Sequence, residues 1–349
     1  MLSQRKNSKR IRNRRKSRRF ENQSDTKSED KANIKSIERA ISRFSLNPLP
    51  MGIPSKISPP PAEINIDWNT NSVPKTIQKK VGEIVCRPGE FGFLPEDRVQ
   101  EIAEEIENFP ISLEQALSLR GALNQEKSVY SHHRLMRRSN ELNRRYNSGE
   151  SVLSLSQRFD TPPVNTFRAI LTGRVWSKNK IKESLKSPSR LNQRDLEEFE
   201  KAEDMDRVSA VNQTETQNAA GIFEEALFMY FESIGVRFRR QEELWEEQSR
   251  DEGRAILTPD LLFLDDLRIN GIPCAWIDAK HYFGADLKFP RKKTQKQVDR
   301  YVAEYGHGAI VYRHGFCQSL RLKGAILLDS NPLDLSDLEK FHEKIRGLD

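Results

Sequence analysis

The stretch AILTPDLLFLDDLRINGIPCAWIDAK (255–280) decides the fold of the C-terminal half of the chain. It holds two apolar runs, 255–264 and 272–280, with the turn pair Asn270-Gly271 between them. Asn-Gly between apolar runs is a strong hairpin signal, although the residues before the turn make this connection longer than a tight hairpin. The pattern predicts two paired strands of one sheet.

Three charged side chains interrupt these apolar runs: Asp260 in the first, and Asp278 and Lys280 near the end of the second. Residues two apart on a strand face the same side, so Asp278 and Lys280 project together, and strand pairing would bring Asp260 beside them. Burying two carboxylates and an ammonium is costly unless they bind something. The carboxylates suit a hard divalent cation, and the lysine could orient or activate a water for attack on a phosphodiester.

The acid-x-Lys tripeptide is weak support by itself because it recurs along the chain. It occurs as Asp25-Thr26-Lys27, Glu29-Asp30-Lys31, Asp278-Ala279-Lys280 and Asp286-Leu287-Lys288. Only the third copy ends an apolar run and follows a Pro-Asp pair in the preceding strand. We expect Asp286 and Lys288, in the fourth copy, to have no part in the site. An ordinary surface ion pair remains the alternative interpretation of the third copy.

The pattern around this stretch predicts alternating helices and strands. Helices are expected over 218–235, 294–305 and 336–345, and strands over 236–241, 309–313 and 324–329. This order predicts an α/β or α+β domain with a mixed sheet.

Taken together, these motifs resemble the PD-(D/E)xK nuclease superfamily, and more closely its TPD family, which is related to Holliday-junction resolvases and includes the nuclease that partners codanin. The resemblance covers roughly residues 95–330. It is carried by Thr258-Pro259-Asp260, Trp276-Ile277-Asp278-Ala279-Lys280, Phe283-Gly284, Gln297, Tyr301, Tyr305-Gly306-His307-Gly308, Ile310-Val311-Tyr312 and Gly315-Phe316, with Phe159, Pro162-Pro163 and Arg168 upstream.

The resemblance implies a restriction-endonuclease-like core and a metal-dependent deoxyribonuclease that uses Mg²⁺ or Mn²⁺. Asp260 and Asp278 would be metal ligands, and Lys280 would act on the attacking water. A glutamate of the first core helix often completes such sites. Glu224 and Glu225 are the candidates, and Glu225 is favoured because it lies four residues after Gly221. TPD relatives commonly have Glu where this chain has Asp278, which leaves the metal geometry less certain.

Further implications concern the substrate and the partners. Gln297 and Tyr301, one helical turn apart, would position substrate or water, with ordinary helix packing as the alternative. The resolvase relationship suggests structured DNA, a homodimer is left open, and a codanin-like protein is an expected partner. A scaffold that keeps the nuclease fold and only binds such a partner is the first alternative function.

The N-terminal half divides by composition. Residues 1–75 lack apolar periodicity and begin with ten Lys/Arg among the first twenty residues. They also hold seven of the chain's 17 prolines, all between positions 48 and 74. We expect a disordered basic and Pro-rich tail over 1–75, a helical region over 76–186, a linker over 187–210 and the nuclease-like domain over 211–349. The basic tail suggests a nuclear location or nonspecific nucleic-acid binding, with a cytoplasmic pool left open.

The segment SVLSLSQRFDTPPVNTFRAIL (151–171) has the layout of a helix-turn-helix. Its second helix is expected to present Asn165, Thr166 and Arg168 outward to DNA. Cations of the preceding basic helix, expected from about 128 to 146, would hold phosphates, namely Arg134, Arg137 and Arg138. A helical bundle that binds protein, or a DNA-binding regulator that works through 127–186 alone, are the alternatives.

Composition excludes several other classes. The chain is 31% charged with a net charge of +7, and it has no apolar run long enough to cross a bilayer. Three cysteines without a CxxC pair exclude a disulfide scaffold and a Cys-rich zinc site, which favours a reduced, intracellular protein. The chain also lacks a phosphate-binding glycine loop and a GxSxG elbow, which disfavours an NTPase and a serine hydrolase.

Overall fold

The computed structural model describes residues 33–209, 214–251 and 253–346, and these form a mixed α/β protein built around three apolar cores. The mixed fold class expected from the sequence is confirmed. The basic arm predicted over the first twenty residues lies outside the described ranges. Within them, no helix has both the length and the apolar character needed to cross a membrane.

The helices are α1 (33–42), α2 (Lys75–Val85), α3 (Glu96–Ile106), α4 (Leu113–Arg137), α5 (Ser139–Asn147), α6 (Val152–Phe159), α7 (Pro163–Gly173), α8 (Lys178–Lys186), α9 (Gln193–Asp204), α10 (Thr214–Ser233), α11 (Gln241–Asp251), α12 (Lys288–Tyr305) and α13 (Ser336–Arg346). The strands are β1 (Glu63–Ile66), β2 (Ser72–Val73), β3 (Phe238–Arg240), β4 (Leu261–Phe263), β5 (Asp266–Ile269), β6 (Ile272–Pro273), β7 (Trp276–Lys280), β8 (Gly308–Tyr312), β9 (Phe316–Cys317) and β10 (Ala325–Asp329).

The main sheet has five strands in the order β10-β8-β7-β4-β3. β3, β4 and β7 are antiparallel neighbours, whereas β7, β8 and β10 run parallel. Side chains of α10 pack in the core on one face, and side chains of α12 pack in the core on the other. Coverage of both faces explains why every residue of β4 and β8 is buried.

The Asn270-Gly271 pair does form a turn, but it does not join the two strands of the main sheet. It closes a tight two-residue hairpin between β5 and β6, with φ of 52° at Asn270 and 77° at Gly271. Asn and Gly tolerate positive φ, which this kind of hairpin turn requires. β5 also pairs in parallel with β1, so the residues before the turn belong to a separate three-stranded sheet.

The prediction of a disordered tail is wrong for residues 33–74. Arg43 is fully buried and donates hydrogen bonds to the carbonyls of Ala40 and Asp265. Trp68 is also buried, and its Nε1 donates to the Asp329 carbonyl at 3.1 Å. Asp265 and Asp329 lie more than 200 residues away in sequence, so local periodicity could not reveal these contacts.

The helices form two groups rather than one helical domain and a linker. Buried residues of α2, α3 and the first half of α4 belong to the core that also holds Trp276 and Tyr301. The end of α4 and helices α5 to α9 build their own core, the helical lobe. Half of the predicted linker is α9, whose Phe199 and Ala202 lie fully buried in that lobe. The predicted basic helix is likewise divided, because α4 ends and α5 begins at Arg138.

Candidate active site

Asp260, Asp278 and Lys280 come together where β4 begins and β7 ends. Lys280 Nζ forms an ion pair with Asp278 Oδ2, as expected for residues two apart on one strand. Asp260 immediately precedes β4, and its Oδ2 accepts a hydrogen bond from the backbone N–H of Ala279 at 2.6 Å. The antiparallel pairing of β4 with β7 therefore brings both carboxylates beside the lysine.

Burial and like charge together act on Asp260. The residue is only 5% exposed, and burial, followed by the charges of Asp278 and Glu224, raises its pKa well above the ordinary range. Lys280 and the Ala279 N–H oppose this rise without cancelling it. Acids held this close in a low-dielectric setting favour either a shared proton or a bound cation.

Lys280 is held in the charged form. Burial lowers its pKa, but the neighbouring charges of Asp278, Tyr282 and Asp260 outweigh that effect and raise the pKa above its usual value. The side chain of Lys280 is 16% exposed, whereas that of Asp278 is 3% exposed. The lysine is thus the most accessible of the three converging charged groups.

Side chains fix the loop that delivers Asp260. Gln248 accepts hydrogen bonds at 2.8 Å from the N–H groups of both Ile256 and Leu257, and its Nε2 donates to the Leu257 carbonyl at 2.6 Å. Tyr305 donates to the same carbonyl at 3.2 Å. With its backbone groups satisfied in this way, the loop can hold a buried carboxylate in place.

Gln297 and Tyr301 of α12 lie against the carboxylates. Gln297 Nε2 donates to Asp278 Oδ1 at 2.9 Å and contacts the Tyr301 hydroxyl at 3.2 Å. That hydroxyl donates to the Thr258 carbonyl at 3.2 Å. The two residues thus link the loop before Asp260 to the carboxylate on β7, which is a positioning role within the protein.

Glu224, and not Glu225, is the glutamate of α10 that interacts electrostatically with the carboxylates. Burial, then the charge of Asp278, raises the pKa of the half-buried Glu224. Glu225 is 52% exposed and accepts a hydrogen bond from Arg240 Nη1 at 3.0 Å. The prediction that Glu225, rather than Glu224, faces the carboxylates is therefore wrong. Successive helix residues point about 100° apart, and only the packing of α10 sets which one faces the sheet.

The prediction that the second helix of the helix-turn-helix presents Asn165, Thr166 and Arg168 outward is also wrong. Thr166 is fully buried, and its hydroxyl donates to the Pro162 carbonyl at 3.0 Å. Asn165 donates to Ser128 Oγ at 2.9 Å, and Arg168 donates to the Asn165 side chain at 3.0 Å. Burial lowers the pKa of Arg168. Helix α7 is the central helix of the lobe, so its polar side chains bond internally.

The other cations assigned to DNA are exposed. Arg134 and Arg137 lie on the solvent side of α4, and Arg138 bonds Glu141 at 2.9 Å and lies over the Phe159 ring. Asp286, which we expect to have no part in the site, is buried and pairs with Lys75 at 2.6 Å and with Arg291 at 3.0 Å. These are contacts within the protein that connect the loop after β7 to α2 and α12.

Tyr282 is a site residue that the sequence argument overlooked. It lies two positions after Lys280, is 39% exposed, and interacts electrostatically with that lysine. Its ring centre lies 5.9 Å from that of Tyr312 on β8. The alternation that placed Lys280 beside Asp278 could have pointed to Tyr282 as well, had it been continued past the end of the strand.

Two glycines of the motif are explained by close packing. A Cβ on Gly308 would lie 2.2 Å from the Trp276 indole, and one on Gly306 would lie 2.3 Å from the backbone nitrogen of Ala40. Trp276 also donates from Nε1 to the Gly306 carbonyl at 2.9 Å. These contacts press β8 and α1 against the strand that carries Asp278.

The oxygen donors at the site are few. Asp278 Oδ2 has no hydrogen-bond partner apart from its ion pair with Lys280. Across residues 33–209, 214–251 and 253–346, no group of three or more His, Cys, Asp or Glu side chains is arranged to hold a metal ion. The site thus offers a pair of carboxylates with a third acid nearby.

Comparison with known proteins locates a family motif around this site. The family model described as "Protein of unknown function TPD sequence-motif" matches residues 191–331. An uncharacterized protein of Acanthamoeba polyphaga mimivirus is 28% identical over 124 residues, which is 34% of this chain and 43% of the viral protein. The chain thus aligns with less than half of that relative, and no solved structure matches it. The chain therefore contains a TPD sequence-motif domain over residues 191–331, and this domain includes Asp260, Asp278 and Lys280.

Proposed function

We propose that this protein is a metal-dependent nuclease that hydrolyses DNA phosphodiester bonds, acting in the nucleus. The observation that carries the proposal is the convergence of two buried carboxylates and a charged lysine, Asp260, Asp278 and Lys280, at one end of the main sheet. Buried groups with strongly perturbed pKa values that gather at one place are typical of catalytic sites.

The order of elements around the site also supports the proposal. Helix α10 precedes the antiparallel strands β3, β4 and β7, and α12 then leads to the parallel strand β8. This is the arrangement that we expect for a restriction-endonuclease-like core. The PD-(D/E)xK resemblance would assign catalysis to Asp260, just before β4, and to Asp278 and Lys280 on β7.

The donor set fits Mg²⁺ or Mn²⁺ in its chemistry. Mg²⁺ is commonly held by one or two carboxylates plus substrate phosphates rather than by a full cage of protein ligands. Asp260 and Asp278 would supply the carboxylates, and Glu224, which interacts electrostatically with both, would add negative charge near the ion. When bound, such an ion would neutralise charge on the phosphate oxygens and help to ionise an attacking water.

The protein's own groups would then have separate tasks. Lys280 stays protonated beside Asp278, so it can donate a hydrogen bond that orients a water or stabilises a phosphate oxygen. Gln297 holds Asp278 in one orientation through its hydrogen bond to Oδ1. Tyr301 ties the loop of Asp260 to the same helix.

The test uses purified full-length protein with labelled linear, flapped and four-way DNAs, and RNA, each with Mg²⁺, Mn²⁺ or EDTA. We expect metal-dependent cleavage of DNA that Asp260→Asn and Lys280→Met each reduce by at least about 100-fold. The first removes a carboxylate that would hold the metal ion, and the second removes a positive charge that would stabilise the phosphate oxygens. Lys288→Met is the control: Lys288 is the exposed lysine of the acid-x-Lys tripeptide that begins at Asp286, and its loss should leave the rate unchanged.

Two results would overturn the proposal. Cleavage that persists in both active-site variants would exclude the proposed mechanism. Absence of cleavage on every substrate, together with binding to a codanin-like partner that the Asp260→Asn variant retains, would favour a scaffold. A regulator acting through α7 finds little support, since that helix is buried in the lobe.

A further inference from the structure

A large cleft lies at the end of the helical lobe, close to the loop that follows β7. Its volume is about 1000 Å³. The walls come from α4, α9 and the start of α10 on one side, and from the loop after β7 and the start of α12 on the other. Small-molecule sites usually measure about 300–1,000 Å³, so this cleft has room for more than one nucleobase.

The cleft adjoins the candidate active site along one helix. Tyr282 lines the cleft, and it interacts electrostatically with both Lys280 and Asp278. Lys293 of α12 also lines the cleft, whereas Gln297, about one turn farther along the same helix, bonds Asp278. A group held on Tyr282 would therefore lie beside Lys280 and the carboxylates.

Two aromatic side chains of the cleft, Phe93 and Tyr282, are exposed, whereas the third, Phe283, is buried. Phe93 is 65% exposed, although the Arg207 guanidinium covers one face of its ring at 3.9 Å from the ring centre. Tyr282 is 39% exposed. Single-strand-binding proteins use accessible aromatic rings, often together with arginine, to stack on bases.

The charge of the lining favours bases over the sugar-phosphate backbone. Two cations, Arg207 and Lys293, stand among three acids, Glu203, Asp204 and Glu215, and Arg207 lies 3.6 Å from Glu215. A wall of this composition gives phosphates little attraction. Its carboxylates can instead accept hydrogen bonds from the exocyclic amino groups of bases, and the exposed Gln125 can donate or accept.

We propose that this cleft binds unpaired nucleobases of the DNA substrate, stacked on Tyr282 and Phe93, next to the phosphodiester that is cut. The inference rests on the proposed nuclease function and deepens it, because it makes the preferred substrate a DNA with unpaired bases beside the cleavage site. Fully paired DNA leaves the cleft empty and loses the stacking contribution.

The experiment measures base insertion without cleavage. Full-length protein in EDTA is titrated into three DNAs that carry 2-aminopurine, one in a flap, one in a mismatched bubble and one in a full duplex, and into a single-stranded RNA. Stacking on the aromatic rings should quench the fluorescence of the unpaired probes. We expect the flap to bind at least about 10-fold more tightly than the duplex, since one stacked base contributes ~1–3 kcal/mol.

Gly121 offers a matched pair of variants that test the cleft itself. It lies on α4, lines the cleft, is exposed, and has no atom within 4 Å of where a Cβ would stand. Gly121→Trp fills the cleft and should weaken flap binding about 10-fold and abolish quenching, whereas Gly121→Ala should change neither. Phe93→Ala should weaken flap binding about 5- to 100-fold through loss of stacking.

The outcomes separate this inference from the proposed function. Equal binding of flap and duplex, or quenching that survives Gly121→Trp, overturns the cleft proposal even if the protein cuts DNA with Mg²⁺. Quenching that Gly121→Trp removes supports the cleft even if no metal restores cleavage, and in that case only the nuclease proposal fails. Binding of the RNA alone overturns the assignment to DNA.

Discussion

At the residue scale, the site depends on acids that three different segments bring together. Asp260 precedes β4, Asp278 lies on β7, and Glu224 lies on α10. Each of the other two acids contributes to the raised pKa of Asp260, after burial. Because this coupling acts through space, it distinguishes Glu224 from its neighbour Glu225, whose charge faces Arg240.

A matched pair of substitutions tests this distinction. Glu224→Gln removes a negative charge next to Asp278 and should lower metal-dependent cleavage about 10- to 100-fold, as expected for a group that binds or orients a metal. Glu225→Gln disturbs only a half-exposed ion pair with Arg240 and should leave the rate within about 2-fold. Steady-state cleavage rates at several Mg²⁺ concentrations are the measurement.

The metal dependence gives this pair a second readout. Glu224→Gln should raise the Mg²⁺ concentration needed for half-maximal rate, while Glu225→Gln should not. If Glu225→Gln lowers the cleavage rate more than Glu224→Gln does, the orientation of α10 described above is not the one used in catalysis.

At the element scale, the contact between β7 and β8 supports the site. Gly308 lies directly against the buried Trp276 indole, which leaves no room for a side chain. Both residues belong to the apolar face of the sheet on which α12 packs, and Asp278 points to that same face as Trp276 because it lies two positions later.

Gly308→Ala should destabilise the protein by about 1–3 kcal/mol, the usual cost of overpacking a core. The added Cβ would stand 2.2 Å from the indole, so either the ring or the strand must shift. Gly121→Ala is the control, since its Cβ meets no atom within 4 Å and alanine favours a helix. Urea unfolding of both variants is the measurement, and equal stability would show that the indole moves freely.

At the scale of the whole molecule, residues 33–74 join parts that are distant along the chain. The helix α1 contacts Gly306, β1 pairs with β5, and Trp68 packs in the core that holds α10. The segment is therefore part of the fold that carries the site rather than an appendage to it.

Buried histidines make the stability of the whole molecule depend on pH. Burial is the main cause that lowers the pKa of His307 to about 4, of His281 to about 4 and of His314 to about 3. The unfolded chain binds these protons near pH 6.5, so it holds more protons than the folded state at mildly acidic pH. Stability is thus complete above about pH 6.5 and falls as the pH drops from there towards 4.

Each such histidine adds up to ~1.4 kcal/mol per pH unit to the slope within that window. Replacing the 5%-exposed His307 by Gln should reduce the slope by about that amount. His132→Gln, at an exposed position on α4, should leave the slope unchanged. Urea unfolding at pH 7, 6 and 5 gives the slopes, and an unaltered slope for His307→Gln would refute the assignment.

The sequence predicted the features that are encoded over a few neighbouring residues. Alternation along 276–280 put Asp278 and Lys280 on one side, and Asn270-Gly271 marked a turn because positive φ suits these residues. Apolar periodicity located α10 and α12. The strands that this turn joins were nevertheless predicted wrongly, because a turn signal does not show to which sheet the flanking strands belong.

By itself, the sequence determined the mixed α/β class, the main strands and the pairing of an acid with a lysine on β7. Only the tertiary structure decided that Glu224 faces the carboxylates, that Thr166 is buried, that residues 33–74 are folded, and that a cleft lies beside Tyr282. Local patterns fix backbone conformation and the alternation of faces, because those depend on neighbouring residues. The rotation of a helix and the burial of a polar segment depend on groups outside the local stretch of sequence, and packing alone selects among the alternatives.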